Sequence, residues 1–283
     1  MTKTPKDGRN ESGAGDDLSV TPRDGGSDAG WADVPGMFRR AGESLPAPWG
    51  AMFEPLRRGL VDDLVVVGQF GQSIDGRIAT VTGHSKYING AAGLAHLHRL
   101  RALVDVVVIG VGTALADDPQ LTVRRVAGPS PARVVVDPHG RLPRTARLFA
   151  ADGVRRLVLT SDGGHSDYPP AVEVVRLAAN GRHIAPAAIL AALAERGLRR
   201  ILIEGGADTV SRFLAAGCLD RLHIVIAPII IGAGPSSATL TPIASVDRAL
   251  RAPMRIHALD EEVLLDCDLS AQRVSIGVAN RSR

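Results

Sequence analysis

Aromatic side chains are scarce in this chain: Phe, Trp and Tyr together make up 3% of its 283 residues. Proteins that hold single-stranded nucleic acid stack bases on aromatic platforms beside a basic groove. Here the platforms are few and the basic residues are dispersed, and a net charge of +3 is too mild to point to a polyanionic partner. Cysteine is nearly absent. Cys218 and Cys267 can build neither a zinc cluster nor a disulfide framework, and they fit a reducing cytosol. No apolar run approaches the roughly 20 residues that cross a bilayer. The N-terminus lacks the apolar segment of a secretory signal. A soluble cytosolic protein with an aliphatic core is expected, and a hydrophobic content of 45% suffices to build that core without staples.

Several catalytic signatures are missing as well. The chain has no G-x-x-x-x-G-K-S/T phosphate loop, no G-x-S-x-G elbow and no H-E-x-x-H or H-x-E zinc pattern. His96 and His98 share a helix-like stretch but stand two residues apart, hence on different faces, so they are not expected to hold a metal.

What is present is an alternation of short apolar runs with helix-like stretches. Strands are expected at 64–70, 105–113, 132–140, 155–161, 171–178, 199–206 and 221–231, with a terminal hairpin over 255–270. Helices are expected at 90–103, 186–196 and about 207–216, the first with Leu94, Leu97, His98 and Arg101 at helical spacing. Strands that are apolar throughout imply a sheet covered on both faces. The expected fold is therefore a three-layer α/β/α sandwich around a mostly parallel mixed sheet. Residues 1–36 are rich in Gly, Asp, Ser and Pro and are expected to be disordered. Residues 37–61 are expected to form an arm, 62–270 the domain proper and 271–283 a C-terminal tail.

Three stretches could carry chemistry. GVGTALADDP (110–119) follows a strand but lacks the third glycine of the dinucleotide fingerprint. On spacing alone, a tight turn is the simpler reading. EGGADTVSRF (204–213) places two glycines between a buried strand and a helix. Backbone amides can approach a ligand there, and a helix N-terminus favours anions. A plain strand-to-helix connection capped by Asp208 is equally compatible with it. Asp117 could serve as a proton donor. Arg101 and Arg124 could clamp a phosphate, although an isolated arginine is more often a solvated surface residue.

At these residues the chain resembles a known family. QFGQSIDGRIATVTGHSKYING (69–90), LRALVDVVVIGVGTALADDPQLTVR (100–124) and ILIEGGADTVSRFLAAGCLDRLHIVIAPIIIGAG (201–234) resemble the reductase domain of bacterial riboflavin biosynthesis, which has a dihydrofolate reductase-like fold. The likeness covers about residues 62–270, and several motifs in order are more specific than any one. It implies NADPH-dependent reduction of 5-amino-6-(5-phosphoribosylamino)uracil to the ribityl product. It also implies that Ser85, Arg101, Leu121, Arg124 and Glu204 hold substrate, with Ser85 and the two arginines on its phosphate. Gly71, Tyr87, Thr113, Asp117, Gly205, Gly206, Ala207, Asp208 and Thr209, on to Arg212, would hold NADPH. Asp75 and Gly76 would shape the first active-site turn, and a homodimer is implied.

Asp117 and Glu204 are the candidates for positioning the proton that must reach the substrate nitrogen. Two alternatives stay open: the undeaminated diaminopyrimidinone ribosyl phosphate, or a dihydropterin, as substrate. The chain departs from the family pattern in three ways. It lacks the H-x-E and P-C-x-x-C of the zinc deaminase that many relatives carry. Tyr87 stands where Trp is common, and Pro138 stands where a hydroxyl often meets the cofactor.

Overall fold

The computed structural model describes residues 20–21, 30–164 and 167–277. In chain order its strands are β1 (Val20–Thr21), β2 (Val65–Ser73), β3 (Val106–Gly110), β4 (Ala132–Val136), β5 (Arg156–Thr160), β6 (Glu173–Arg176), β7 (Ala179–Asn180), β8 (His183–Ile184), β9 (Arg200–Glu204), β10 (Arg221–Ala227), β11 (Met254–Leu259) and β12 (Glu262–Asp268). Its α-helices are α1 (Val34–Arg39), α2 (Trp49–Phe53), α3 (Ala91–Leu103), α4 (Val111–Asp117), α5 (Pro186–Glu195) and α6 (Ala207–Ala215). Ten strands form one sheet in the order β1-β11-β12-β10-β2-β9-β3-β4-β5-β6. Every neighbouring pair is parallel except the two made by β12, which runs antiparallel to β10 and β11.

Side chains that alternate along these strands feed two separate cores. Val65, Val67, Val107, Ile109, Val135 and Leu202 face one layer with α3 and the N-terminal arm. Val66, Val106, Val108, Val134, Ile201 and Ile203 face the other layer with α5 and α6. A strand buried on both faces needs an apolar residue at every position, which is why these segments read as continuous runs. Each fully buried Val, Leu or Ile stabilises the fold by about 1.5–3 kcal/mol.

Several expected boundaries move. The strand expected over 105–113 ends at Gly110, and α4 starts at the next residue, so Gly112 and Thr113 are helical. The long strand expected over 221–231 stops at Ala227, because Pro228 has no N–H to give a strand paired on both sides. The disorder expected over 1–36 does not hold for residues 31–36. Trp31 and Val34 are buried and α1 begins at Val34, while most of the preceding segment lies outside the described residues. The expected C-terminal tail is docked as far as residue 277. Val274 donates its N–H to Gly217 O at 2.9 Å and Ile276 to Asp62 Oδ2 at 2.8 Å.

Helix α3 is anchored from across the sheet. The carboxylate of Glu262 on β12 accepts the N–H groups of Gly90 (3.0 Å) and Gly93 (2.7 Å) at the start of the helix. A carboxylate there satisfies donors that have no partner within the helix and complements its dipole. Gly93 must be glycine, since a Cβ would stand 2.7 Å from Glu262 Oε2 and 2.9 Å from Val225 Cγ1. Among the described residues no helix is long and apolar enough to cross a membrane.

Candidate active site

The carboxyl ends of parallel β2, β9, β3 and β4 open into one cleft of about 1270 Å³. Open α/β sheets bind ligands beyond such strand ends. Typical single-ligand pockets span about 300–1,000 Å³, so this cleft has room for a cofactor and a substrate together.

Two glycine steps meet at its centre. Gly110 leads β3 into α4, and Gly205–Gly206 lead β9 into α6. A Cβ on Gly110 would lie 2.4 Å from Thr209 Oγ1, and one on Gly206 would lie 2.6 Å from Thr113 Oγ1. The two connections pack so closely that only glycine fits, and Gly205 and Gly206 have φ of +70° and +46°. Asp208 does not cap α6. Gly206 occupies that position, no side chain caps the helix, and Asp208 sits in its first turn. The α6 start therefore lacks a side-chain cap.

Glu204 and Arg101 form the wall beside this centre. Arg101 Nε donates to Glu204 Oε2 at 2.8 Å, its Nη2 donates to Glu204 Oε1, and its Nη1 donates to Thr122 O at 3.1 Å. Arg101 is 4% exposed. The guanidinium expected on the substrate phosphate thus has its fork turned to Glu204 and the 119–131 segment. The exposed cation beside it is Arg124, whose guanidinium is held below its ordinary pKa by partial burial and by Arg101, Arg125 and Arg147. The Arg124 backbone N–H donates to His98 Nδ1 at 3.0 Å. Burial, then Arg101, Arg124 and Arg125, hold His98 down at about 3, so it is neutral and its Nδ1 is an acceptor.

The remaining expected residues divide. Ser85, Tyr87, Thr113, Asp117, Ala207, Asp208 and Thr209 all line the cleft. Ser85 and Tyr87 lie in the loop between β2 and α3, where Tyr87 is 88% exposed with φ of +69°. Asp117 ends α4 at the rim. Desolvation and then nearby Glu204 raise its carboxyl above the ordinary value, against Lys86, which lowers it. Gly71 also lines the cleft, but its lack of a Cβ serves Asn89, whose Oδ1 would stand 1.5 Å from that atom. Leu121 does not reach the cleft with its side chain. It is 1% exposed in the core, at φ of +57°, so only its backbone could meet a ligand. Asp75 is tied down: its carboxylate accepts from Ser73 Oγ, Ile231 N and Gly232 N, and these bonds hold it at about 2. It latches the first turn to the loop after β10.

Sequence reasoning passed over Lys86, Arg125, Arg141, Arg147 and Arg182, which also line the cleft. Lys86 and Arg125 were adjacent to chosen residues. Arg141, Arg147 and Arg182 carry no local signal, since only the fold brings them to this wall. His96 and His98 do face different ways. His96 Nε2 lies 3.0 Å from His223 Nδ1 in the core, while His98 faces Arg124.

A mixed sheet with a parallel centre, helices on both faces and a cleft at its strand ends, shared with reductases of solved structure, places the chain in the dihydrofolate reductase-like class. More narrowly, the chain belongs to the RibD C-terminal domain family, whose model matches residues 64–265. A 2,5-diamino-6-ribosylamino-4(3H)-pyrimidinone 5′-phosphate reductase from Methanothermobacter thermautotrophicus is 32% identical over 215 residues, which are 71% of this chain and 96% of that protein. The riboflavin biosynthesis protein RibD of Aquifex aeolicus is 31% identical over 202 residues, 70% of this chain and 55% of that protein. The chain thus spans about half the length of that RibD relative. Among solved structures, a diaminohydroxyphosphoribosylaminopyrimidine deaminase/5-amino-6-(5-phosphoribosylamino)uracil reductase from Thermotoga maritima superposes with a TM-score of 0.64 at 28% identity, over 78% of this chain and 59% of that one.

Proposed function

We propose that this chain is an NADPH-dependent oxidoreductase of riboflavin biosynthesis that reduces the ribosyl group of a ribosylaminopyrimidine 5′-phosphate to the ribityl group. The observation that carries the reading is the convergence, in one cleft of about 1270 Å³, of the paired glycine steps with the wall that bears Arg124. The first binds a nucleotide cofactor and the second binds a sugar phosphate. 5-Amino-6-(5-phosphoribosylamino)uracil is the first substrate reading. The undeaminated diaminopyrimidinone is the second, favoured by the name of the relative that this chain matches over 96% of its length.

The residues present fit the cofactor. Gly110, Gly205 and Gly206 leave no Cβ between the two connections, and the uncapped start of α6 suits a phosphate. The Thr113 and Thr209 hydroxyls would donate to it there, and Asp208 would meet it through its backbone N–H in the first turn of α6. When bound, it supplies a hydride. The chain itself orients the substrate. Arg124 grips the phosphate end together with Ser85, so that remote binding energy places the reacting carbon. Arg101 fixes the Glu204 carboxylate at the cleft wall through hydrogen bonds from Nε and Nη2. Asp117, whose carboxyl is raised by desolvation and Glu204, stands at the rim as the candidate to position the proton that must reach the substrate nitrogen.

We further propose a homodimer in the cytosol. Ile230, Leu240, Ile243, Val246 and Leu250 are all exposed on the segment after β10, and exposed apolar side chains in number favour a protein interface.

The test is NADPH oxidation by the purified chain, offered both phosphorylated pyrimidines and a dihydropterin. Turnover of either pyrimidine supports the reading, and the preferred one identifies the substrate. Turnover of the dihydropterin alone overturns the substrate assignment.

A further inference from the structure

The N-terminal arm precedes the matched span of 64–265 and carries Trp31, Phe38, Trp49 and Phe53, a large share of a scarce residue class. All four are buried against the core layer that contains α3. Trp31 does more than pack. Its Nε1 donates to Ala127 O at 2.8 Å. Ala127 stands three residues beyond Arg124, in a segment with neither helix nor strand between Pro119 and Pro131.

That segment has no ladder to hold it, so a few side-chain bonds set its course. The domain supplies three: Arg101 Nη1 to Thr122 O, the Val123 N–H to Ser130 Oγ at 3.0 Å, and the Arg124 N–H to His98 Nδ1. Trp31 supplies another from the arm, on the C-terminal side of Arg124 and Arg125. Trp31 is itself immobilised. Its ring meets Trp49 edge-on at 5.2 Å and Phe53 at 5.6 Å, and the Arg99 guanidinium lies 4.5 Å over Trp49 and 5.6 Å from the Trp31 ring. Arg99 belongs to α3, two residues before Arg101.

We propose that Trp31 is a positioning residue for the phosphate-gripping arginine: through Ala127 it fixes the path of the segment that presents Arg124 to the substrate. The inference rests on the reading that Arg124 grips the substrate phosphate. It makes the arm a part of the substrate site that contributes no side chain to the cleft.

The experiment compares Trp31→Phe with Trp49→Phe in the full chain. Both lose an indole for a benzyl ring within the same aromatic cluster, but the Trp49 Nε1 has no hydrogen-bond partner among the described residues. Trp31→Phe should raise KM for the phosphorylated pyrimidine by about three- to tenfold, the scale of one hydrogen bond, with kcat and NADPH affinity unchanged. Trp49→Phe should leave all three unchanged. Equal KM for the two variants, or a loss of kcat and NADPH affinity alongside KM, overturns the proposal.

A second measurement does not depend on the Trp31 variant folding. In the indole N–H spectrum of the wild-type chain, assigned with Trp49→Phe, ribose 5-phosphate should shift the Trp31 resonance and leave that of Trp49 in place. A silent Trp31 resonance on a chain that binds ribose 5-phosphate overturns the positioning role alone. A wild-type chain that neither binds ribose 5-phosphate nor reduces either pyrimidine overturns the functional reading, and the proposal falls with it.

Discussion

Arg101 Nε stands 2.8 Å from Glu204 Oε2, a contact between helix α3 and the end of strand β9 that is almost fully removed from water. A buried ion pair is weak evidence of net stabilisation, yet removing one partner leaves the other charge without compensation. Glu204→Leu should therefore cost about 3–5 kcal/mol in urea unfolding, and Arg101→Met with Glu204→Leu together should cost less than Glu204→Leu alone. A double variant as unstable as the sum of both single ones would show that the two side chains act independently.

The glycine at the start of α6 carries a second expectation. At Gly206, φ is +46° and a Cβ would stand 2.6 Å from Thr113 Oγ1. Gly206→Ala should lose about 1–3 kcal/mol of stability through backbone strain. If the uncapped amides receive the cofactor phosphate, NADPH affinity measured by fluorescence should fall by roughly tenfold or more. Retained affinity would remove the α6 start from the cofactor site.

Of Arg101 and Arg124, the latter is in a position to meet a phosphate, because Arg101 is committed to Glu204. Arg124→Ala should raise KM for the phosphorylated substrate by roughly 10–100-fold, the worth of a charge-assisted hydrogen bond. NADPH affinity should stay unchanged. An equal loss of both affinities would count against the assignment.

His98 links stability to pH. Its folded pKa of about 3 lies below the ordinary 6.5 because burial and the cations Arg101, Arg124 and Arg125 oppose its protonation. The unfolded chain takes up a proton near pH 6.5 that the folded chain refuses. The stability contributed by neutral His98 is thus complete above pH 6.5 and is lost as pH falls from there toward 3. At pH 5 the loss is up to about 2 kcal/mol relative to pH 8. His98→Asn places an acceptor near the former Nδ1 and removes the titration. Its urea stability should fall less than that of wild type between pH 7 and 5. Identical slopes would exclude His98 as the source.

The Asp117 carboxyl is raised by desolvation and by Glu204. If it delivers the proton, kcat falls as pH rises through that elevated value. Asp117→Asn should lower kcat by roughly 100-fold or more and abolish this alkaline limb, with KM little changed. A variant that keeps the limb would assign the proton to another group.

By itself the sequence determined the layers, the family and the positions of the glycine steps. Those features are written in neighbouring residues: apolar runs such as 106–109 betray a strand buried on both faces, and the motif order from Gly71 to Gly234 betrays the fold. It also marked Arg124 and Asp117. Tertiary structure decided the rest, because it depends on what distant segments do to one another. Nothing local shows that Arg101 is occupied by Glu204, 103 residues away, or that the Leu121 side chain turns into the core. Nor could composition reveal that Trp31, in a stretch dominated by Gly, Asp and Ser, reaches a carbonyl 96 residues ahead. Burial of one aromatic ring can order a segment whose average composition predicts disorder, since the gain depends on the surface it meets and not on its neighbours in the chain.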